Sequence, residues 1–174
     1  MRETLVDPLY RNVQKIHTST EQNAFRIDED RILDTPGDGA CFFRSIAYAL
    51  SGDPRYLQCD DADAKRALQQ LREQFVEVVI RCWDTEFNDL PMSTIVEVEH
   101  GVNTRERYRQ FMSRPDAWAG QPEVYVAQYI CGGLAVYQPK GGQIVRMQRY
   151  GTTGSESLTV FYDGRTHYCA VERR

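Results

Sequence analysis

Hydrophobic positions fall at helical spacing between residues 41 and 132 and in short apolar runs after that, so the pattern predicts helices first and strands later. Phe42, Phe43, Ile46, Ala49 and Leu50 keep a helical spacing that ends at Ser51-Gly52, where Gly52 stands as a C-terminal cap. Asp60-Asp61-Ala62-Asp63 opens the longest helix. Ala64, Ala67, Leu68, Leu71, Phe75, Val78, Val79 and Cys82 carry its apolar stripe through Trp83. Thr104-Arg105-Glu106-Arg107 starts another helix that stops before Pro115, and Pro122-Glu123 starts a short one that runs to Gly132-Gly133. Residues 134–137, 143–147, 158–162 and 167–171 read as strands, with Asp163-Gly164 as a hairpin turn and Gly141-Gly142 and the 151–154 glycines as further turns. The first 30 residues are polar with weak periodicity and read as one or two short helices. Helices followed by a mostly antiparallel sheet predict a single α+β domain over 1–174, with 1–30 as a helical extension and 31–174 as the core.

Composition narrows the class without naming it. A chain of 174 residues with 41% hydrophobic and 26% charged residues suits one globular domain. No apolar run approaches the roughly 20 residues of a membrane-spanning helix. The opening Met1-Arg2-Glu3-Thr4-Leu5-Val6-Asp7 carries acids and no apolar segment, so no secretory signal is expected. A net charge of −4 speaks against nucleic acid as a partner. The abrupt end at Glu172-Arg173-Arg174 is compatible with a piece cut from a longer protein. Five widely spaced cysteines, with no C-x-x-C pair, fit neither a disulfide scaffold nor a zinc site and point to a reducing, cytoplasmic compartment.

Cys41 stands apart from the other four. It sits at the start of a buried helix, directly after the turn sequence Asp34-Thr35-Pro36-Gly37-Asp38-Gly39-Ala40. A helix N-terminus stabilises a thiolate, and the small residues before it let a carbonyl approach backbone N–H groups that can form an oxyanion hole. The same pattern also suits a cysteine that only packs under a glycine turn. A nucleophile needs a base, and there are three histidines. His17 lies in the polar N-terminal segment and His100 in what reads as an exposed connection before Gly101. His167 opens the last strand, the most rigid platform of the three.

Asp38-Gly39-Ala40-Cys41-Phe42-Phe43-Arg44-Ser45 resembles the D-G-x-C-x-F-R-S/A signature of the ovarian-tumour (OTU) family of papain-like cysteine proteases. Trp118-Ala119-Gly120-Gln121-Pro122-Glu123-Val124 resembles the family's W-G/A-G-x-x-E-L block, and His167-Tyr168 its terminal His-aromatic pair. The resemblance covers residues 32–172. It implies a papain-like OTU fold, in which helices flank a central, mostly antiparallel twisted sheet. It also implies thiol isopeptidase activity on ubiquitin or a ubiquitin-like modifier. By motif, Cys41 is the nucleophile, His167 the base, and Asp38 the residue that holds the oxyanion-hole loop. No cofactor or metal is implied, and a monomer without membrane attachment is expected. Family members occur in eukaryotes, viruses and bacterial effectors, so a host cytosol is a further setting for the chain.

One position departs from the pattern. Most members carry Asn or Asp two residues after the His; here Cys169 stands there and cannot accept a strong hydrogen bond from an imidazole N–H. Asp34 is the nearest replacement, with Asp28, Asp30 and Asp163 behind it; a dyad is the other solution. This departure motivates the alternative of a low-activity ubiquitin-binding module, and another papain-type acyl chemistry is a third reading. Elsewhere, Trp118 reads as packing and Glu123 as a helix-start residue, while Asp60, Asp61 and Asp63 read as solvated acids. Tyr168 reads either as the wall of a narrow channel or as packing.

Overall fold

A computed structural model of the protein describes residues 25–58, 60–151 and 158–173. Most of the expected N-terminal helical extension therefore lies outside the described residues, as does the turn residue Gly154. Within residues 25–31 the chain forms a strand, β1 (Arg26–Ile27), and a 3-10 turn at Glu29–Arg31.

A six-stranded sheet forms the frame. To β1 it adds β2 (Ile32–Leu33), β5 (Leu134–Lys140), β6 (Gln143–Tyr150), β7 (Leu158–Tyr162) and β8 (Tyr168–Val171). Their spatial order is β1-β6-β5-β7-β8-β2. Every pairing is antiparallel except β5 with β7, which run parallel because the chain returns past β6 before entering β7. The expected mostly antiparallel sheet flanked by helices is what forms.

Four helices lie where the apolar periodicity puts them: α1 (Cys41–Ser51), α2 (Ala62–Arg81), α4 (Arg105–Met112) and α5 (Gln121–Cys131). Gly52 takes the left-handed conformation that ends α1. Asp61 is not merely solvated, because its side chain accepts the Ala64 N–H at 2.7 Å and caps α2.

The stretch between α2 and α4 was not legible as structure. It holds a small hairpin, β3 (Glu86–Phe87) and β4 (Leu90–Pro91), whose two turn residues Asn88 and Asp89 both have positive φ. It then enters α3 (Met92–His100), which buries Met92, Ile95 and Val96 on one face. His100 accordingly ends a helix and is not on an exposed connection.

Helix α1 sits in the middle of this frame. α1 packs on β7 and β8, and Phe42, Phe43, Phe75 and Tyr168 meet edge to face in the core beneath it. Such edge-to-face contacts among buried rings fix side-chain geometry as well as burying area. The start of α1 is therefore held rigidly against the start of β8.

Candidate active site

Cys41 is the first residue of α1 and is buried, with 2% of its surface exposed. Burial pushes its thiol above the ordinary value of 9.0, and the negative Asp38 adds to the rise. Hydrogen bonds with the backbone of Tyr168, Phe42 and Cys41 itself pull the other way without winning. The helix start thus offers the stabilisation the sequence suggests, but desolvation outweighs it. The contact with Tyr168 joins α1 to the residue that follows His167.

The segment before the helix is over-determined. Asp38 accepts the Ala40 N–H at 3.1 Å and pairs with Arg44 through both oxygens, at 2.8 and 3.4 Å. Partial burial raises the Asp38 carboxyl, yet Arg44 and the Ala40 N–H prevail and leave it below its usual range. Arg44 is itself buried on α1 and reaches the carbonyls of Tyr56 and Gln58. Gly39 has φ +86°, and a Cβ there would lie 2.2 Å from the Asp116 carbonyl oxygen. No other residue fits. Arg72, buried on α2, donates to the carbonyls of Gly39, Met112, Pro115 and Ala117 and lies 4.4 Å over the Phe43 ring. The loop before Cys41 is thereby clamped to the 112–117 loop.

At the other end of the sheet, β2 pairs β8 with Ile32 opposite Val171 and Leu33 opposite Ala170. Continuing that register brings Asp34 across from Cys169 and Thr35 across from Tyr168. His167 Nε2 lies 3.1 Å from Asp34 Oδ1 and 3.5 Å from Thr35 Oγ1. A carboxylate only accepts, and the Thr35 hydroxyl gives its proton to the Tyr168 carbonyl at 2.6 Å. Both contacts therefore require a proton on Nε2. The bond to His167 is the largest influence on Asp34 and holds its carboxyl below the usual value.

Asp34 Oδ1 also accepts the Thr35 N–H at 2.9 Å and the Cys169 thiol at 3.6 Å. Burial, with Asp34 beside it, pushes the Cys169 thiol up to about 12. Asp34, His167 and Cys169 bring an oxygen, a nitrogen and a sulfur within 4.8 Å of one another, the one such set among the described residues that could hold a metal ion.

Asp163, the other acid offered for the imidazole, binds main chain instead. Its carboxylate accepts the N–H groups of Arg165, Thr166 and His167 at 2.7, 2.9 and 3.1 Å. The expected two-residue turn is therefore a five-residue loop closed by one side chain, which fixes the backbone of His167 and not its ring. Asp28 and Asp30 lie around the 3-10 turn.

Trp118 departs from the expected packing role. It is 43% exposed and lines a cleft with Gly120, Tyr162, Arg165, Thr166 and Tyr168. Tyr168 both packs and lines this cleft, with its ring 4.6 Å from Tyr162 and 5.1 Å from Phe42. Behind the cleft, the wholly buried Glu123 caps α5 by accepting the Gly120 N–H at 2.7 Å. It also accepts the Tyr108 hydroxyl at 2.7 Å and contacts His100 Nε2 at 3.1 Å. Thr35, Arg72 and the contacts of Cys169 are what sequence reasoning missed.

Comparison with known proteins points one way. The profile of the OTU-like cysteine proteases matches residues 36–168. The chain is 26% identical over 146 residues to the OVARIAN TUMOR DOMAIN-containing deubiquitinating enzyme 4 of Arabidopsis thaliana, a match covering 80% of this chain and 42% of that protein. The chain thus spans less than half the length of that relative. Among solved structures, the Hazara virus OTU bound to ubiquitin shares the fold with a TM-score of 0.57 at 17% identity, over 90% of this chain and 93% of that one. The viral OTU domain protease from Taggert virus does so with a TM-score of 0.58 at 20% identity, over 87% and 81%.

Proposed function

Since the chain belongs to the family of OTU-like cysteine proteases, we propose that it is a deubiquitinase acting through Cys41, His167 and Asp34. The single observation that carries this reading is the 3.1 Å contact of Asp34 with His167 Nε2, next to the Tyr168 backbone that meets the Cys41 thiol. Asp34 fixes the tautomer in which Nδ1 accepts a proton, the service that a carboxamide or carboxylate at position 169 would otherwise perform. Nδ1 takes the proton as sulfur attacks the carbonyl of the terminal glycine of ubiquitin. The resulting oxyanion meets N–H groups of the clamped 38–41 loop, whose shape Asp38 maintains.

The protonated His167 then delivers its proton to the departing lysine amine. Next it accepts one from water, which releases the acyl group and returns the thiol. The Trp118–Tyr168 cleft suits an extended tail without side chains, and the family likeness to the Hazara virus OTU bound to ubiquitin supports that choice of substrate. The binding-module alternative drew on Cys169; the Asp34 contact supplies what Cys169 lacks and favours turnover. The single-domain layout, a catalytic core over 31–174 with an extension before it, belongs to the same proposal.

The test is release of free ubiquitin from a panel of diubiquitins. Wild-type protein should cleave at least one linkage, and Cys41→Ala should cleave none. Cleavage that survives Cys41→Ala would refute the assignment.

A further inference from the structure

We infer that Asp34, His167 and Cys169 form a regulatory zinc site, whose occupation switches off the base while leaving the nucleophile untouched. The inference rests on the proposed role of His167 but is carried by a separate juxtaposition. Three different donor atoms, a carboxylate oxygen, an imidazole nitrogen and a thiol sulfur, converge within 4.8 Å of one another. Two of the separations are 3.1 Å, from Asp34 Oδ1 to His167 Nε2, and 3.6 Å, from Cys169 Sγ to Asp34 Oδ1.

Zinc binds oxygen and nitrogen at about 2.0–2.2 Å and sulfur at about 2.3 Å, so tetrahedral ligands stand about 3.3–3.6 Å apart. The observed contacts already lie near that spacing, and the remaining edge is no longer than 4.8 Å, within reach of a small side-chain movement. The donor set also selects the metal. Nitrogen and sulfur suit zinc and disfavour magnesium and calcium, which require oxygen. Support around the site is present as well, because the Thr35 N–H holds Asp34 Oδ1 at 2.9 Å. Asp34 has 88% of its side chain exposed, so the fourth position opens to solvent and the ion has a route in.

Occupation has a defined chemical consequence. The metal replaces the thiol proton of Cys169, which leaves to solvent, and takes the lone pair at His167 Nε2. The ring proton must then move to Nδ1, the nitrogen that serves as base. With Nδ1 protonated, His167 can no longer accept the Cys41 proton. The soft ligand that makes the site stands at the position where most members of the family carry Asn or Asp.

The test uses the full chain and Co²⁺ as a spectroscopic stand-in for zinc, read by the thiolate-to-cobalt charge-transfer band. The band should appear in wild-type protein, persist in Cys41→Ala, and vanish in Cys41→Ala combined with Cys169→Ala. Zinc affinity by calorimetry should fall more than about 100-fold on loss of Cys169, beyond what an outer-shell partner costs. Cys169→Ser retains a donor toward Asp34 and serves if Cys169→Ala fails to fold. A band that disappears with Cys41, survives loss of Cys169, or never forms would overturn the inference. None of these readings requires turnover, so failure here is distinct from failure of the proposed protease chemistry.

Discussion

Asp34 Oδ1 gathers the Thr35 N–H, the Cys169 thiol and His167 Nε2 on one oxygen, and it does so from an exposed position at the end of β2. In the proposed mechanism its contribution is to orient the ring, not to hold the fold. Asp34→Ala should lower kcat/KM by about 10²- to 10⁴-fold, the range expected when a triad loses its orienting acid. The thermal midpoint should scarcely move. Asp163→Ala should do the reverse in part, lowering the midpoint because three N–H groups of the 163–167 loop lose their acceptor. Paired kinetics and melting curves on the two variants check this, and equal kinetic losses would contradict the division of roles. Cys41 and His167 were legible because motif and strand position agree on them. Asp34 was legible only as the nearest acid upstream, since its approach to His167 depends on the antiparallel register of β2 on β8, which spans over 130 positions. Thr35 gave no signal, for a lone threonine in a turn is ordinary until that register places it beneath the imidazole.

At the level of elements, the helix that escaped notice is instructive. α3 has buried positions at helical spacing, Met92, Ile95 and Val96, but its Thr94, Val96 and Val98 are β-branched and Pro91 precedes it. Burial against α5 decides its conformation. That packing seats His100 beside Glu123, with its side chain 5% exposed. Burial alone would depress the pKa of His100, but the hydrogen bond and charge of Glu123, with Glu99 nearby, raise it above 6.5. A folded-state value above the free one means that protonated His100 stabilises the protein. This stabilisation is complete below pH 6.5 and fades as pH climbs through the raised value. Melting temperature should therefore decline from pH 6.5 upward more steeply in wild-type protein than in His100→Gln. Parallel profiles from differential scanning calorimetry would contradict the assignment. Glu123 was legible as a helix-start residue, whereas its two further partners come from α3 and α4 and leave no trace in local sequence.

Across the whole molecule, the order of helices and strands was readable because each element has its own period of apolar residues. The order of strands in space was not. That β7 lies parallel to β5, and that β2 closes the far edge of the sheet, follow from packing of α1 against β7 and β8. This arrangement sets α1 against β8, the strand that follows His167, and so frames the candidate site. Among the described residues no helix is long and apolar enough to cross a membrane. The two arginines that clamp the 36–40 loop, Arg44 and Arg72, tie that site to α2 and to the 112–117 loop. Local sequence gives no hint of it, because arginines on helices usually face water.

The most direct measurement is mass spectrometry of the protein after reaction with ubiquitin bearing an electrophile at its C-terminus, followed by digestion to locate the bond. One adduct is expected, on Cys41 Sγ, formed by wild-type protein, slowed in Asp34→Ala and absent in Cys41→Ala. An adduct on Cys169 or another cysteine, or none from folded wild-type protein, would contradict the proposal.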